Sequence, residues 1–354
     1  LTLRLRESDV PGAMSALDDA LAADPNFVLA YYNKALLLLE SGNLPAAVPE
    51  LEQAQRLDFR LPESDRSTVK LLYYRATGQS EKLLEFLRLQ ARLRDDGQSH
   101  AQLGSLLMVA GDLDGARQHF ETALERDSLN VSLLLALSDL ARSRGDMDAA
   151  LDYARKYRTE RPMEIGASLK LGDLLRDSGD LEEAESQYQQ AALIDSNAVD
   201  PLLRLHLIAA RRGDGAEAER LLEEAGRTAQ TSAQQAAVHL SAFHYANRMG
   251  RIDDAVLQLR AAEPLFTETQ PPFTTALSIH SSLISVYLRV NRIDEARAVL
   301  LEAQAIVPEP PMSQFMLASE AVINASEAKF EAARKALAGF QAVLVALGFD
   351  GIAF

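Results

Sequence analysis

Three stretches decide the fold: GDLDGARQHFETALERD from Gly111, GDMDAALDYARKYRTERP from Gly145 and GDLEEAESQYQQAALID from Gly179, each beginning 34 residues after the last. In each, a glycine is followed five positions later by an alanine, namely Ala116, Ala150 and Ala184. The same pairing recurs outward at Gly42/Ala47, Gly213/Ala218 and Gly250/Ala255, and Asn291 stands in for glycine ahead of Ala296. Asparagine is the other residue that tolerates left-handed backbone well, so this slot reads as the residue that closes a helix. Asp112, Asp146, Asp180 and Asp214 come next, where a carboxylate caps the first amides of a new helix. The dipeptide is therefore the turn of a helical hairpin.

Downstream of each turn a second small residue follows, with a larger apolar one between: Ala116/Phe120/Ala123, Ala184/Tyr188/Ala191, Ala218/Leu222/Ala225, Ala255/Leu259/Ala262 and Ala296/Leu300/Ala303. Spacing of four then three sets all three on one helical stripe, and the alanines let a neighbouring helix come close. The preceding helix has its own stripe, such as Leu103, Leu106, Leu107 and Ala110. Two amphipathic helices per unit thus cover each other and the next unit.

A helix-turn-helix of this length, with small residues at these slots and proline at the end of the unit (Pro25, Pro162, Pro308), resembles the tetratricopeptide repeat (TPR) family. The resemblance implies an all-α fold: an α-solenoid, wound as a right-handed superhelix, of about ten helix-turn-helix repeats. The expected units are a partial repeat over 1–27, repeats over 28–61, 62–96, 97–130, 131–164, 165–198, 199–232, 233–272 and 273–311, and a last repeat with a capping helix over 312–354. The sequence departs from the family's pattern in having no tryptophan. Leu83 fills the alanine slot after Gly78, which predicts an irregular unit there. Ala333/Leu337/Phe340 keep the spacing without a turn glycine, and Pro271-Pro272 predict a helix-breaking loop over 264–273. Leu1 falls inside a repeat, so the chain is expected to be a piece of a longer protein.

Composition narrows the function. A net charge of −15 and a pI near 4.9 provide no field to draw in phosphates, so neither nucleic acid nor an anionic membrane is expected as the main partner. The absence of cysteine removes disulfides, thiolate metal sites and thiol nucleophiles together. No apolar run is long enough to cross a membrane. The six histidines read as scattered, His239 and His244 being five apart and off the face a metal pair would use. Neither a glycine-rich phosphate loop nor a nucleophile elbow is present. The expectation is therefore no cofactor, no metal and no catalysis.

The resemblance places the first helix of each pair on a concave surface, and that face carries the candidate site. Asp139 and Arg142 in one unit are repeated by Asp173 and Arg176 in the next, and Lys170, Arg204, Arg211, His244, Asn247, Arg248 and Arg289 continue the series. A solvated i,i+3 pair contributes only a few tenths of a kcal/mol, about 0.2–0.5, which is the plain structural reading. The functional reading is a ladder of arginine on an acidic chain, which favours an acidic segment of a protein or peptide partner. In some TPR proteins asparagine at a central first-helix slot grips a terminal carboxylate. Here that slot holds Leu36, Ser105, Asp139, Asp173, Leu207, His244 and Ser285, which disfavours such a clamp. A second candidate is FVLAYYNKALLLLE, where Tyr31, Tyr32, Leu36 and Leu39 offer apolar surface for packing or docking.

The leading expectation is a non-catalytic scaffold that binds a partner protein along the groove, in bacterial envelope assembly, secretion or polysaccharide export. The absence of cysteine leans toward the periplasm or cell envelope over the cytoplasm. The alternatives left open are an accessory domain of a larger transferase or hydroxylase, and a homo-oligomer, for which the mass in solution would exceed 38.7 kDa.

Overall fold

The turn signals act where the sequence places them. Gly42, Gly78, Gly111, Gly145, Gly179, Gly213 and Gly250 all have φ between 68° and 94°, and Asn291 has φ 59°. Asp112, Asp180 and Asp214 each accept a hydrogen bond from the amide three residues on, closing the first turn of the next helix. Asp146 does the same for Ala149 at 3.1 Å.

A computed structural model describes residues 10–307 and 312–346; Pro308 and the apolar tail from 347 lie outside the described residues. The chain is an all-α solenoid built of two compact units, Leu1–Glu160 and Arg161–Phe354. The first unit contains α1 (Val10–Ala23), then the pairs α2 (Val28–Glu40) with α3 (Leu44–Arg56), α4 (Glu63–Ala76) with α5 (Ser80–Arg94), α6 (Gly97–Val109) with α7 (Leu113–Arg126), and α8 (Ser132–Ser143) with α9 (Met147–Glu160). The second pairs α10 (Ile165–Ser178) with α11 (Leu181–Ile194), α12 (Val199–Arg212) with α13 (Gly215–Thr228), and α14 (Ser232–Arg248) with α15 (Ile252–Thr269). In the next pair α16 (Pro272–Thr275) runs through a π-helical turn (Ala276–His280) into α17 (Ser281–Arg289), which packs on α18 (Ile293–Ile306). The last pair is α19 (Leu317–Ser326) with α20 (Phe330–Ala346).

In most pairs the alanine slots are wholly buried. Ala47, Ala116, Ala150, Ala184, Ala218, Ala255 and Ala296 have no exposed surface, and neither do Ala123, Ala191, Ala225, Ala262 and Ala303. The large residue between the alanines faces a small partner. A Cβ added to Gly104 would lie 2.8 Å from Phe120 Cδ1, and one on Gly172 would lie 2.4 Å from Tyr188 Cε1. The glycine thus makes the room that the aromatic ring fills, and burying such a ring stabilises by about 1.5–3 kcal/mol. In the unit between these two and in the unit after them, the same position holds a hydrogen-bonding side chain. Ser138 Oγ donates to Ala150 O at 2.9 Å and the buried His206 Nδ1 lies 2.8 Å from Ala218 O.

Three expectations are corrected. Leu222 was expected to fill the groove of its pair, but the buried residue is Leu221 and Leu222 only flanks it: on α13 the stripe runs Ala218/Leu221/Ala225, a spacing of three then four that lies on the same helical face. The 264–273 insertion is not a loop: α15 continues through Pro264 to Thr269, and Pro271 and Pro272 sit at the cap and first position of α16, where a missing amide is harmless. Histidine is not wholly scattered, since His100 and His119 stack with ring centroids 5.1 Å apart.

Leu83 is buried in its slot, and α4, its first-helix partner, buries only Val69. In the last pair the left-handed position is taken by Ala328, at φ 60°. Ala333 there is half-buried and Leu337 exposed, so the final helix uses its stripe only in part. Along FVLAYYNKALLLLE, Tyr31, Tyr32, Leu36 and Leu39 are all half-buried, and Tyr31 and Tyr32 pack against Val28, Ala54, Leu61 and Val69. Phe27 and Leu29 of the same stretch are exposed.

Candidate partner-binding surface

The first-helix positions of the second unit separate into two groups. Asp173 gathers its neighbours: Arg176 Nη1 donates to Asp173 Oδ1 at 3.1 Å, Arg204 Nε at 3.0 Å and the Tyr188 hydroxyl at 2.9 Å. Arg176 also donates to Asp177 at 2.8 Å, and Arg204 lies 3.8 Å from Asp200. Burial and the Asp173 charge push the Tyr188 hydroxyl well above the usual tyrosine range, so it stays protonated as a donor. Asp173, Asp177 and Asp200 together outnumber the two arginines. This end of the ladder is therefore a closed network linking α10, α11 and α12, with no excess of positive charge. Lys170 is half-buried on α10.

The second group lies toward the helix ends. Arg211, Arg248 and Arg289 each stand two residues before the left-handed residue of their turn, at Gly213, Gly250 and Asn291. All three are exposed, and none makes an ion pair among the described residues. Arg289 donates to Asn247 Oδ1, tying the end of α17 to the end of α14. His244 is exposed on α14, beside Phe243. Arginine near a helix C-terminus is favoured by the macrodipole at about 0.3–1 kcal/mol, which accounts for its residue type but not for a guanidinium without an ion pair on the first helix of three successive pairs. In the first unit, Asp139 and Arg142 lie 3.9 Å apart on α8 with about half of each side chain exposed, a loose surface pair.

Beside Arg289 the second unit opens into a groove of about 710 Å³, floored by Leu277, Ile284, Leu288, Phe315, Val322 and Phe340 and bordered by Ser285. Phe315 packs edge-on against Phe273, with centroids 5.4 Å apart, and against Phe340 at 6.1 Å. Val322 remains 54% exposed, so apolar surface is presented next to the cation. The sequence names Arg289 and Ser285 on this face and Phe340 as a stripe residue, but not Phe315, which lies on a short 3-10 turn (Met312–Met316) outside the repeat spacing. Among the described residues no three His, Asp or Glu side chains converge to hold a metal, and no helix is long and apolar enough to cross a membrane.

Helix pairs with this turn, these alanine contacts and an exposed first-helix face define a helical-repeat protein. The chain belongs to the tetratricopeptide repeat family: models described as tetratricopeptide repeat match residues 2–58 and 102–164, 165–197 and 207–224. Among solved structures, yeast Tom70 is similar at 14% identity, with 96% of this chain and 83% of that chain covered and a TM-score of 0.58. A tetratricopeptide repeat protein from Parabacteroides merdae is similar at 16% identity over 68% of this chain and 92% of that chain, with a TM-score of 0.47. A TPR protein of Thermus thermophilus is 22% identical over 54% and 99% of the two chains, with a TM-score of 0.42. No curated protein sequence matches the chain. The fold is that of a protein-interaction scaffold, and proteins of the family are generally non-catalytic.

Proposed function

We propose that this chain is a non-catalytic scaffold holding an acidic, partly apolar segment of a partner protein on the second unit, across Arg211, Arg248 and Arg289 and into the groove beside Arg289. The observation that carries this reading is the juxtaposition of unpaired arginine with exposed apolar floor on a chain of net charge −15. An extended peptide or short helix would bury leucine-like side chains against Phe315, Phe340 and Val322, and its carboxylates would meet the arginines. The ladder from Asp139 to Arg204 serves chiefly as framework in this account. A composition without cysteine and with 29 arginines against seven lysines supports a bacterial envelope setting for the scaffold.

The test is fluorescence anisotropy with a labelled octapeptide alternating leucine and glutamate. The wild-type protein should bind it with an affinity that falls as salt rises, and Arg211→Glu/Arg248→Glu/Arg289→Glu should weaken binding by about tenfold or more. Equal affinity in the two proteins, or equal binding of a leucine-lysine octapeptide, would refute the proposal.

A further inference from the structure

A second charged site lies in the first unit, and it does not rest on the reading above. Between α5, α6 and α7 a pocket of about 460 Å³ is lined by Arg88, Arg92, Asp95, His100 and His119, with Ala91 and Leu103 at its base. Arg88 and Arg92 are one helical turn apart, both are exposed, and neither makes an ion pair among the described residues. Asp95, the pocket's carboxylate, is already engaged by Arg126 at 2.9 Å and by His100 Nε2 at 3.1 Å. Of the other charged groups nearby, Arg94 donates to Ser67, Asp96 caps α6 through the Ser99 amide, and Asp112 caps α7. Among the lining residues α8 contributes none.

The two imidazoles fix one another's protons. His100 Nδ1 and His119 Nδ1 are 2.9 Å apart, so one must donate and the other accept. With Asp95 accepting from His100 Nε2–H, a neutral His100 has its lone pair on Nδ1, and His119 Nδ1–H is the donor. His119 Nε2 is then the remaining ring nitrogen, and it takes up a proton without bringing two N–H groups face to face.

We propose that this pocket binds a phosphate group, with Arg88 and Arg92 holding its oxygens and His119 Nε2 taking up a proton to donate to it. Two guanidiniums and an imidazolium lining one pocket offer three or more donors, which suits a three-oxygen dianion better than a two-oxygen carboxylate. Burial first, then positive charge around it, Arg88 included, holds His119 below its ordinary value, and a bound dianion offsets both by supplying the opposite charge.

Isothermal titration of the whole chain with inorganic phosphate and with O-phosphoserine, in buffers of differing ionisation enthalpy, tests this. Saturable binding is expected, with proton uptake at pH 7.5, where the ligand is already the dianion, and with an affinity for the dianion, corrected for the ligand's own second ionisation, that rises by about tenfold from pH 7.5 to pH 5.5. Arg88→Gln/Arg92→Gln should weaken it by about tenfold or more, and His119→Gln should abolish the proton uptake while the far-ultraviolet helical signal stays unchanged. Tighter binding of O-phosphoserine would assign the ligand to a phosphorylated partner segment, and equal affinity to free phosphate. No saturable binding, unaltered affinity in the arginine variant, or glutamate binding as tightly as O-phosphoserine would overturn the proposal.

Discussion

The Tyr188 ring occupies the volume that any side chain at Gly172 would need, its Cε1 lying 2.4 Å from where a Cβ would be. Tyr188 is fully buried, and its hydroxyl is anchored on Asp173, so the ring has nowhere to retreat. Alanine in a helix is favoured over glycine by about 1 kcal/mol. Overpacking costs about 1–3 kcal/mol and should win. Gly172→Ala is therefore expected to lower the urea midpoint, whereas Gly172→Ala made in a Tyr188→Leu background should be neutral or stabilising. A stabilised single variant would show that the two helices are further apart than described.

The left-handed turn residues predict opposite signs at two sites. Gly179 has φ 94° with no atom within 4 Å of a built Cβ, so Gly179→Ala is penalised by backbone strain alone, about 1–2 kcal/mol. Ala328 already carries such strain at φ 60°. Ala328→Gly should therefore raise stability, by about 0.5–1 kcal/mol after the extra freedom of glycine in the unfolded chain is subtracted. Thermal unfolding of both variants checks the pair.

Acid should destabilise the fold through His206. Burial, opposed by the bond to Ala218 O and aided by the Arg248 charge, holds this histidine below its ordinary value of 6.5. Below 6.5 the unfolded chain binds a proton that the folded chain refuses, so stability falls as pH drops through that window and is fully present above it. His119 shifts in the same direction and adds to the loss. Urea midpoints at pH 7.5 and 5.5 should differ more in the wild type than in His206→Gln. Equal differences would place the acid sensitivity elsewhere.

Asp173→Asn separates framework from binding surface. Asp173 accepts from Arg176, Arg204 and Tyr188, so neutralising it should cost about 1–2 kcal/mol of stability. It also leaves Arg176 and Arg204 with less compensation, and the leucine-glutamate octapeptide should bind the variant as well as or better than the wild type. Weaker binding in the folded variant would mean that Asp173 itself contacts the ligand.

How far the sequence could be read follows from which forces act locally. The turn glycines, Asn291, the aspartate caps and the paired alanines are local demands of backbone and close approach, and each appears in the sequence at its structural position. Pro264 misled because a helix tolerated it inside α15, and Leu222 misled because positions three and four after Ala218 both lie near the buried stripe of α13 and the structure buries the nearer, Leu221. Site residues were less legible. Asp139/Arg142 and Asp173/Arg176 share a spacing, but the spacing does not show that Asp173 also meets Tyr188 and Arg204, which lie 15 and 31 residues away in the chain. The stacking of His100 on His119 spans 19 residues and two helices, which no single-helix spacing rule detects. Phe315 joins Phe273 and Phe340 only when three separate elements come together.

The central claim is that the second unit carries the binding surface, and amide hydrogen exchange with and without the leucine-glutamate octapeptide tests it most directly. The account predicts slowed exchange in α17 and α19, extending to the C-terminal turns of α12 and α14, with the first unit unchanged. Protection confined to the first unit, or none at saturating peptide, would contradict it.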